Sequence, residues 1–172
     1  YVGEMIKRKY PVSVLNVLYK MYSKDFQLTY IGDGHELKEI SDKVEKFDLK
    51  DKVQILGKIK REKIFNYLDD SECFIMISKG EAFGLVYLEA MARGCITIAS
   101  RDEGIDGVII DGYNGFLCKA GDEYELEKIL LYINNLSSED KIRISNNAIE
   151  TAKNLTDRKV AEHYINSVIN AK

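Results

Sequence analysis

The sequence predicts an α/β fold: a doubly wound parallel sheet with helices on both faces and a helical C-terminal end. Three observations predict it. Short β-branched runs alternate with stretches of helical spacing as far as Ser100. Those runs are apolar on both faces, as in a parallel sheet covered by helices on each side. Glycine-rich turns follow the runs, at the carboxyl ends of strands where ligands bind on such folds.

Taken in order, Tyr1-Val2-Gly3 reads as the last step of a strand entering a loop, so the chain is expected to be a piece of a longer protein. Pro11 suits the first turn of a helix, and Val14, Leu18, Met21 and Tyr22 give it one apolar face. "FQLTYIG" (26–32) is a strand closed by Gly32-Asp33-Gly34, and Leu37, Ile40, Val44 and Phe47 mark a second helix. "KVQILG" (52–57), "CFIMIS" (73–78) and "CITIAS" (95–100) are strands, with helices at 61–70 and within "KGEAFGLVYLEAMARG" (79–94). Beyond Ser100 the Gly- and Asp-rich stretch "DEGIDGVIIDGYNGFLCKAGD" reads as turns around short strands. Three helices are expected after it, at 122–136, 138–153 and 156–171. Leu126, Ile129, Leu130 and Ile133 keep one face of the first apolar, as do Val160, Tyr164 and Val168 in the last.

At 172 residues and 45% hydrophobic, the chain is expected to form a single domain, 1–172, with a sizeable core. A net charge of −3, from 25 basic and 28 acidic residues interleaved, argues against nucleic acid as a partner. No apolar run approaches the ~20 residues of a membrane span, and no charged-then-apolar signal segment opens the chain. Cys73, Cys95 and Cys118 sit singly, without paired spacing, and are expected to be buried and reduced. The expected compartment is the cytoplasm, including the inner face of its membrane.

Several motifs carry little. Gly32-Asp33-Gly34 lacks the third glycine of a dinucleotide fingerprint and reads equally as a tight turn. There is no P-loop. His163 reads as a surface or packing residue and His35 as a helix-start residue, neither with the partners of a catalytic triad. Asp69-Asp70 reads as a helix end. No metal site is expected.

The informative stretch is 79–94. Gly84 lets the backbone approach a ligand, and the helix after it offers free N–H groups and a positive dipole end to phosphate. Glu81 would stand beside whatever that phosphate carries. Glu89 falls on one helical face with Leu85, Leu88 and Ala92, so a carboxylate in an apolar stripe needs a partner. Pairing with Arg93, one turn on, is one solution; a ligand is the other.

This stretch resembles the signature of the retaining glycosyltransferases of family 4, in which two acids stand eight residues apart. Phe-Gly follows the first and Glu-Ala-Met marks the second, as Glu81, Phe83-Gly84 and Glu89-Ala90-Met91 do here. "YVG", "LTYIGDG", "DKVQILG" and "GYNGFL" follow in the family's order, so the resemblance covers almost the whole chain. It implies the C-terminal, donor-binding half of a GT-B fold, a Rossmann-like domain facing an N-terminal acceptor domain absent from this chain. It also implies a function: transfer of a sugar from a nucleotide-diphosphate donor to a glycan or lipid-linked acceptor, in surface polysaccharide or glycoconjugate synthesis. On this basis Glu81 contacts donor-sugar hydroxyls and Lys9 neutralises the diphosphate leaving group. Glu89 accepts from the ribose, and Phe83, Gly84 and Leu85 hold the distal phosphate and sugar. Gly57, Lys58 and Ile59 line the base, and Gly3 opens the first phosphate loop. No cofactor or metal is required. One departure stands out: the family has Arg after that first glycine, and this chain has Glu4, leaving Arg8 as the substitute cation. The isolated chain is expected to bind nucleotide without transferring sugar. The alternatives are a non-catalytic nucleotide-binding module and a sugar-nucleotide epimerase of the same fold, the latter favoured by no histidine pattern.

Overall fold

A computed structural model of the chain describes residues 1–21 and 26–155. A turn of 3-10 helix, Lys7–Lys9, leads into α1 (Pro11–Lys20). Then come β1 (Leu28–Tyr30), α2 (Leu37–Lys46), β2 (Val53–Ile55), α3 (Arg61–Asp69), β3 (Cys73–Ile75) and α4 (Leu85–Ala92). The chain continues through β4 (Ile96–Ser100), β5 (Phe116–Cys118), α5 (Glu123–Asn134) and α6 (Ser138–Asn154). The α/β class and the order of elements match the expectation. Tyr22, and the helix expected at 156–171 with His163, Val160, Tyr164 and Val168, lie outside the described residues.

Local chemistry sets the helix starts. Pro11 occupies the first turn of α1, where a missing N–H costs nothing. The Asp122 carboxylate accepts from the N–H groups of Tyr124 and Glu125 to open α5, and Ser137 Oγ accepts from Asp140 N to open α6. Each such cap contributes about 1 kcal/mol.

All strand pairs are parallel, but the sheet falls into two hydrogen-bonded pieces. β1 pairs with β2, and β4 lies between β3 and β5. Val2 bridges Ile31, so the chain's first residues extend the smaller piece. A cavity of about 400 Å³ is lined by residues of both pieces, among them Tyr1, Leu28, Thr29, Cys73 and Ile75. None of the candidate site residues lines it. Burial grades across the sheet. Every residue of β4 and β5 is buried, whereas Gln54 of the edge strand β2 is exposed. Burial on both faces therefore holds for β4 and β5 and fails at β2.

The core joins both pieces, with Leu15, Tyr30 and Ile40 toward one side and Phe74, Tyr87 and Ile98 toward the other. Cys95 and Cys118 are buried and Cys73 half-buried, all as free thiols. Burial pushes the Cys95 thiol up to about 11, and those of Cys73 and Cys118 to about 12. At neutral pH, thiolate is then present at about one part in ten thousand or less. Alkylation by iodoacetamide at pH 7.5 is expected to be slow for the native chain and rapid in guanidinium. Prompt native labelling of Cys95 would contradict this burial.

Candidate functional site

The loop between β3 and α4 is held from both sides. Gly84 ends it in the left-handed region at φ 69, and a Cβ there would meet the Tyr87 ring at 2.7 Å. Tyr87 cannot easily give way. It is 1% exposed, its hydroxyl donates to Met76 O at 2.8 Å and lies 3.1 Å from Ser78 Oγ, and its ring packs edge-on against Phe74. Burial pushes its phenol well above the ordinary tyrosine range, so the hydroxyl stays a donor. From the other side, Glu103 Oε2 accepts from Glu81 N at 2.7 Å and Gly104 N donates to Glu81 O at 3.0 Å. A Cβ on Gly104 would stand 1.6 Å from Ala82 O, so only glycine lets the two backbones run this close. Among the described residues, no acceptor takes the N–H groups of Phe83, Gly84 or Leu85, which leaves the start of α4 open to an anion.

The opening segment meets this loop. Lys79 N donates to Arg8 O at 2.7 Å, and Arg8 Nη1 donates to the carbonyls of Lys79 and Gly80 at 3.3 and 3.2 Å. Lys9 Nζ lies 3.0 Å from Glu81 Oε2, with the side chains only 13% and 15% exposed. That approach pairs the charges but lies off the hydrogen-bonding direction, so Oε2 remains a buried oxygen with no donor. Arg8 thus bonds the loop's carbonyls. Glu4 is exposed.

A third segment lies beside these. Gly3 N donates to Ile31 O, and Met5 N to Asp33 O. Cβ atoms on Gly32 and Gly34 would fall 1.8 Å from Gly3 O and 2.4 Å from Met5 O. Gly32-Asp33-Gly34 is therefore a tight turn that seats the first loop, and not a dinucleotide fingerprint. Gly57 O accepts from Gly32 N at 2.9 Å, so 57–59 lies at the same end of the sheet. Gly57 and Ile59 are half-buried there, while Lys58 is exposed and stands 3.7 Å from Asp33.

Glu89 pairs with Arg61, the first residue of α3, two residues after Ile59. The Arg93 pairing is corrected: Arg93 bonds both Asp69 oxygens at 3.1 Å and lies over the Phe65 ring. The apolar stripe is corrected too. The buried face of α4 is Tyr87, Ala90 and Met91, while Leu85 is 64% exposed and Ala92 is exposed, so Glu89 flanks the packed side with its side chain 18% exposed. Nearly every residue of α4 is apolar, so spacing alone does not reveal which face is buried. His35 is exposed, and among the described residues no group of three His, Cys, Asp or Glu is placed to hold a metal ion.

Arg61, Glu103 and Gly104 contact the candidate site residues, and the sequence does not single them out. For the last two, the density of Gly and Asp at 102–107 is the only local signal. Together the arrangement sets a cation of the opening segment beside one loop that carries a carboxylate with a spare oxygen and an open helix start. A second carboxylate lies beside the 57–61 segment. This combination suits a ligand carrying both anionic and hydroxyl groups.

A family model described as glycosyl transferases group 1 matches residues 1–154. An N-acetyl-alpha-D-glucosaminyl L-malate synthase from Bacillus anthracis is 40% identical over 98 residues, covering 57% of this chain and 25% of that protein. The structure of Anabaena Alr3699/HepE in complex with UDP-glucose overlays with a TM-score of 0.82 at 22% identity, covering 99% of this chain and 48% of that one. The C-terminal domain of the glycosyl transferase group 1 family protein LpcC from Francisella tularensis overlays at 0.77 and 21% identity, covering 90% of this chain and 83% of that one. The chain spans about a third or less of the length of the curated relatives it matches.

Proposed function

The chain belongs to the glycosyl transferases of group 1, and from that premise we propose that it binds a nucleotide-diphosphate sugar and supplies the donor site for a retaining transfer. The observation that carries the proposal is Glu81 Oε2, a buried oxygen beside Lys9 and the open start of α4 that lacks a hydrogen-bond donor. A sugar hydroxyl is such a donor. Retention requires the diphosphate to leave on the face that the acceptor enters. Stabilising the developing negative charge therefore matters more than a strong base. Lys9 and the N–H groups of Phe83, Gly84 and Leu85 meet that charge, with no metal required. Arg8 acts through the carbonyls of Lys79 and Gly80, fixing the loop that presents them.

Glu89 accepts from the ribose hydroxyls, displacing Arg61, and 57–59 lines the base. Gly3 keeps the first loop against Ile31, and so keeps Lys9 near Glu81. The acceptor, a glycan or a lipid-linked sugar, is bound by another part of a two-domain enzyme acting at the cytoplasmic side of a membrane. Surface polysaccharide or glycoconjugate synthesis is the setting, as the name of one relative, an amylovoran biosynthesis glycosyltransferase, suggests.

Titration calorimetry of the 172-residue chain with UDP, GDP and ADP, each with and without EDTA, is the test. At least one nucleotide is expected to bind, with the same affinity in EDTA. Silence from all three would overturn the donor site. Sugar transfer by these residues alone would overturn the division of labour between donor and acceptor parts.

A further inference from the structure

We infer that Glu103 is a positioning residue for Glu81: with the Gly104 amide it holds the Glu81 peptide at both ends, and so sets where the Glu81 carboxylate meets the donor sugar. The inference rests on the reading of Glu81 as a sugar contact. Its basis is a set of three contacts on one residue. Glu81 N donates to Glu103 Oε2 at 2.7 Å, Glu81 O accepts from Gly104 N at 3.0 Å, and Lys9 Nζ lies 3.0 Å from Glu81 Oε2. The first two come from one segment, 22 residues downstream, and the third from the opening loop.

The clamp is close and specific. Gly104 lies against the next peptide so tightly that a Cβ would stand 1.6 Å from Ala82 O. A carboxylate accepting a backbone N–H makes a charge-assisted bond, about twice as strong as a neutral one. The oxygen that Glu103 gives to this bond is committed, which separates its role from that of Glu81, whose Oε2 is spare. Position matters here because a displacement of about 1 Å at a reacting group costs on the order of a hundredfold in rate. Holding the peptide on both sides fixes the Cα of Glu81, and Lys9 then selects the direction of the side chain.

The test compares each nucleotide with its glucose conjugate: UDP with UDP-glucose, GDP with GDP-glucose and ADP with ADP-glucose. Calorimetry on the wild-type chain, Glu103→Gln and Glu103→Ala reads the ratio of conjugate to nucleotide affinity. Glu103→Ala is expected to keep nucleotide affinity within about twofold and to lose about tenfold of the conjugate's, since the ribose and base contacts of Glu89 and 57–59 do not pass through the Glu81 peptide. Glu103→Gln keeps an acceptor oxygen and should recover most of the ratio. Hydrogen exchange at the Glu81 amide should accelerate in Glu103→Ala in the free protein. Equal losses for nucleotide and conjugate would mark a merely structural role and overturn the inference. An unchanged ratio in Glu103→Ala, or a wild-type chain whose conjugates bind no differently from their nucleotides, would overturn it as well. Wild-type binding of no nucleotide would instead overturn the donor site itself, and the inference with it.

Discussion

Glu89→Gln is expected to weaken nucleotide binding about 10- to 100-fold while changing the free energy of unfolding by less than about 1 kcal/mol. The two halves of this expectation have different origins. In the proposed donor site the carboxylate accepts from the ribose hydroxyls, and hydrogen bonds to a charged group contribute about 1.5–3 kcal/mol each. The free protein's partner, Arg61, has a side chain 66% exposed, against 18% for Glu89. A pair open to water on its arginine side contributes about 1 kcal/mol, because water screens it and two long side chains must be ordered. Ribose can therefore displace Arg61 at small cost. Calorimetry with the nucleotide that binds, together with urea unfolding, reads both quantities. A variant with unchanged affinity and a loss of stability above about 2 kcal/mol would show that Glu89 serves the α3–α4 contact alone.

Gly84→Ala is expected to destabilise the chain by about 2–4 kcal/mol and to abolish nucleotide-sugar binding. A left-handed conformation costs an alanine about 1–2 kcal/mol. The added Cβ would also stand 2.7 Å from two carbons of the Tyr87 ring. Moving that ring disturbs the bonds to Met76 O and Ser78 Oγ, each worth about 1 kcal/mol. Gly112 separates the two causes. It has φ 72 but nothing within 4 Å of a Cβ, so Gly112→Ala should show the conformational cost alone. Equal urea midpoints for the two variants would mean that Tyr87 yields freely, and that the loop is not held as described.

Much of the fold is legible in the sequence because parallel strands and their helices carry local signals. Each expected element from 11 to 100 appears, shortened mostly at its ends, and the Asp122 and Ser137 caps begin helices within a residue of the expected starts. The 3-10 turn at Lys7–Lys9 was not legible: three basic residues carry no apolar period. At the site, the two acids and Gly84 were legible by spacing and residue type. Their partners were not. The Glu89–Arg61 pair spans 28 residues and Glu81–Glu103 spans 22, and each joins segments that no periodicity connects. The expected Arg93 partner was the nearest cation along the helix, but Asp69 and Phe65 already hold it.

By itself the sequence determined the α/β class and the order of strands and helices, and it singled out the loop at 81–85 as the candidate site. These depend on backbone preferences and apolar spacing within a few residues, which short stretches specify alone. Only the tertiary structure decided that Glu89 pairs with Arg61, that Arg8 braces carbonyls, and that Glu103 and Gly104 hold Glu81. Those outcomes depend on which distant charges and peptides come within about 3 Å, a distance set by packing around the sheet and not by position along the chain.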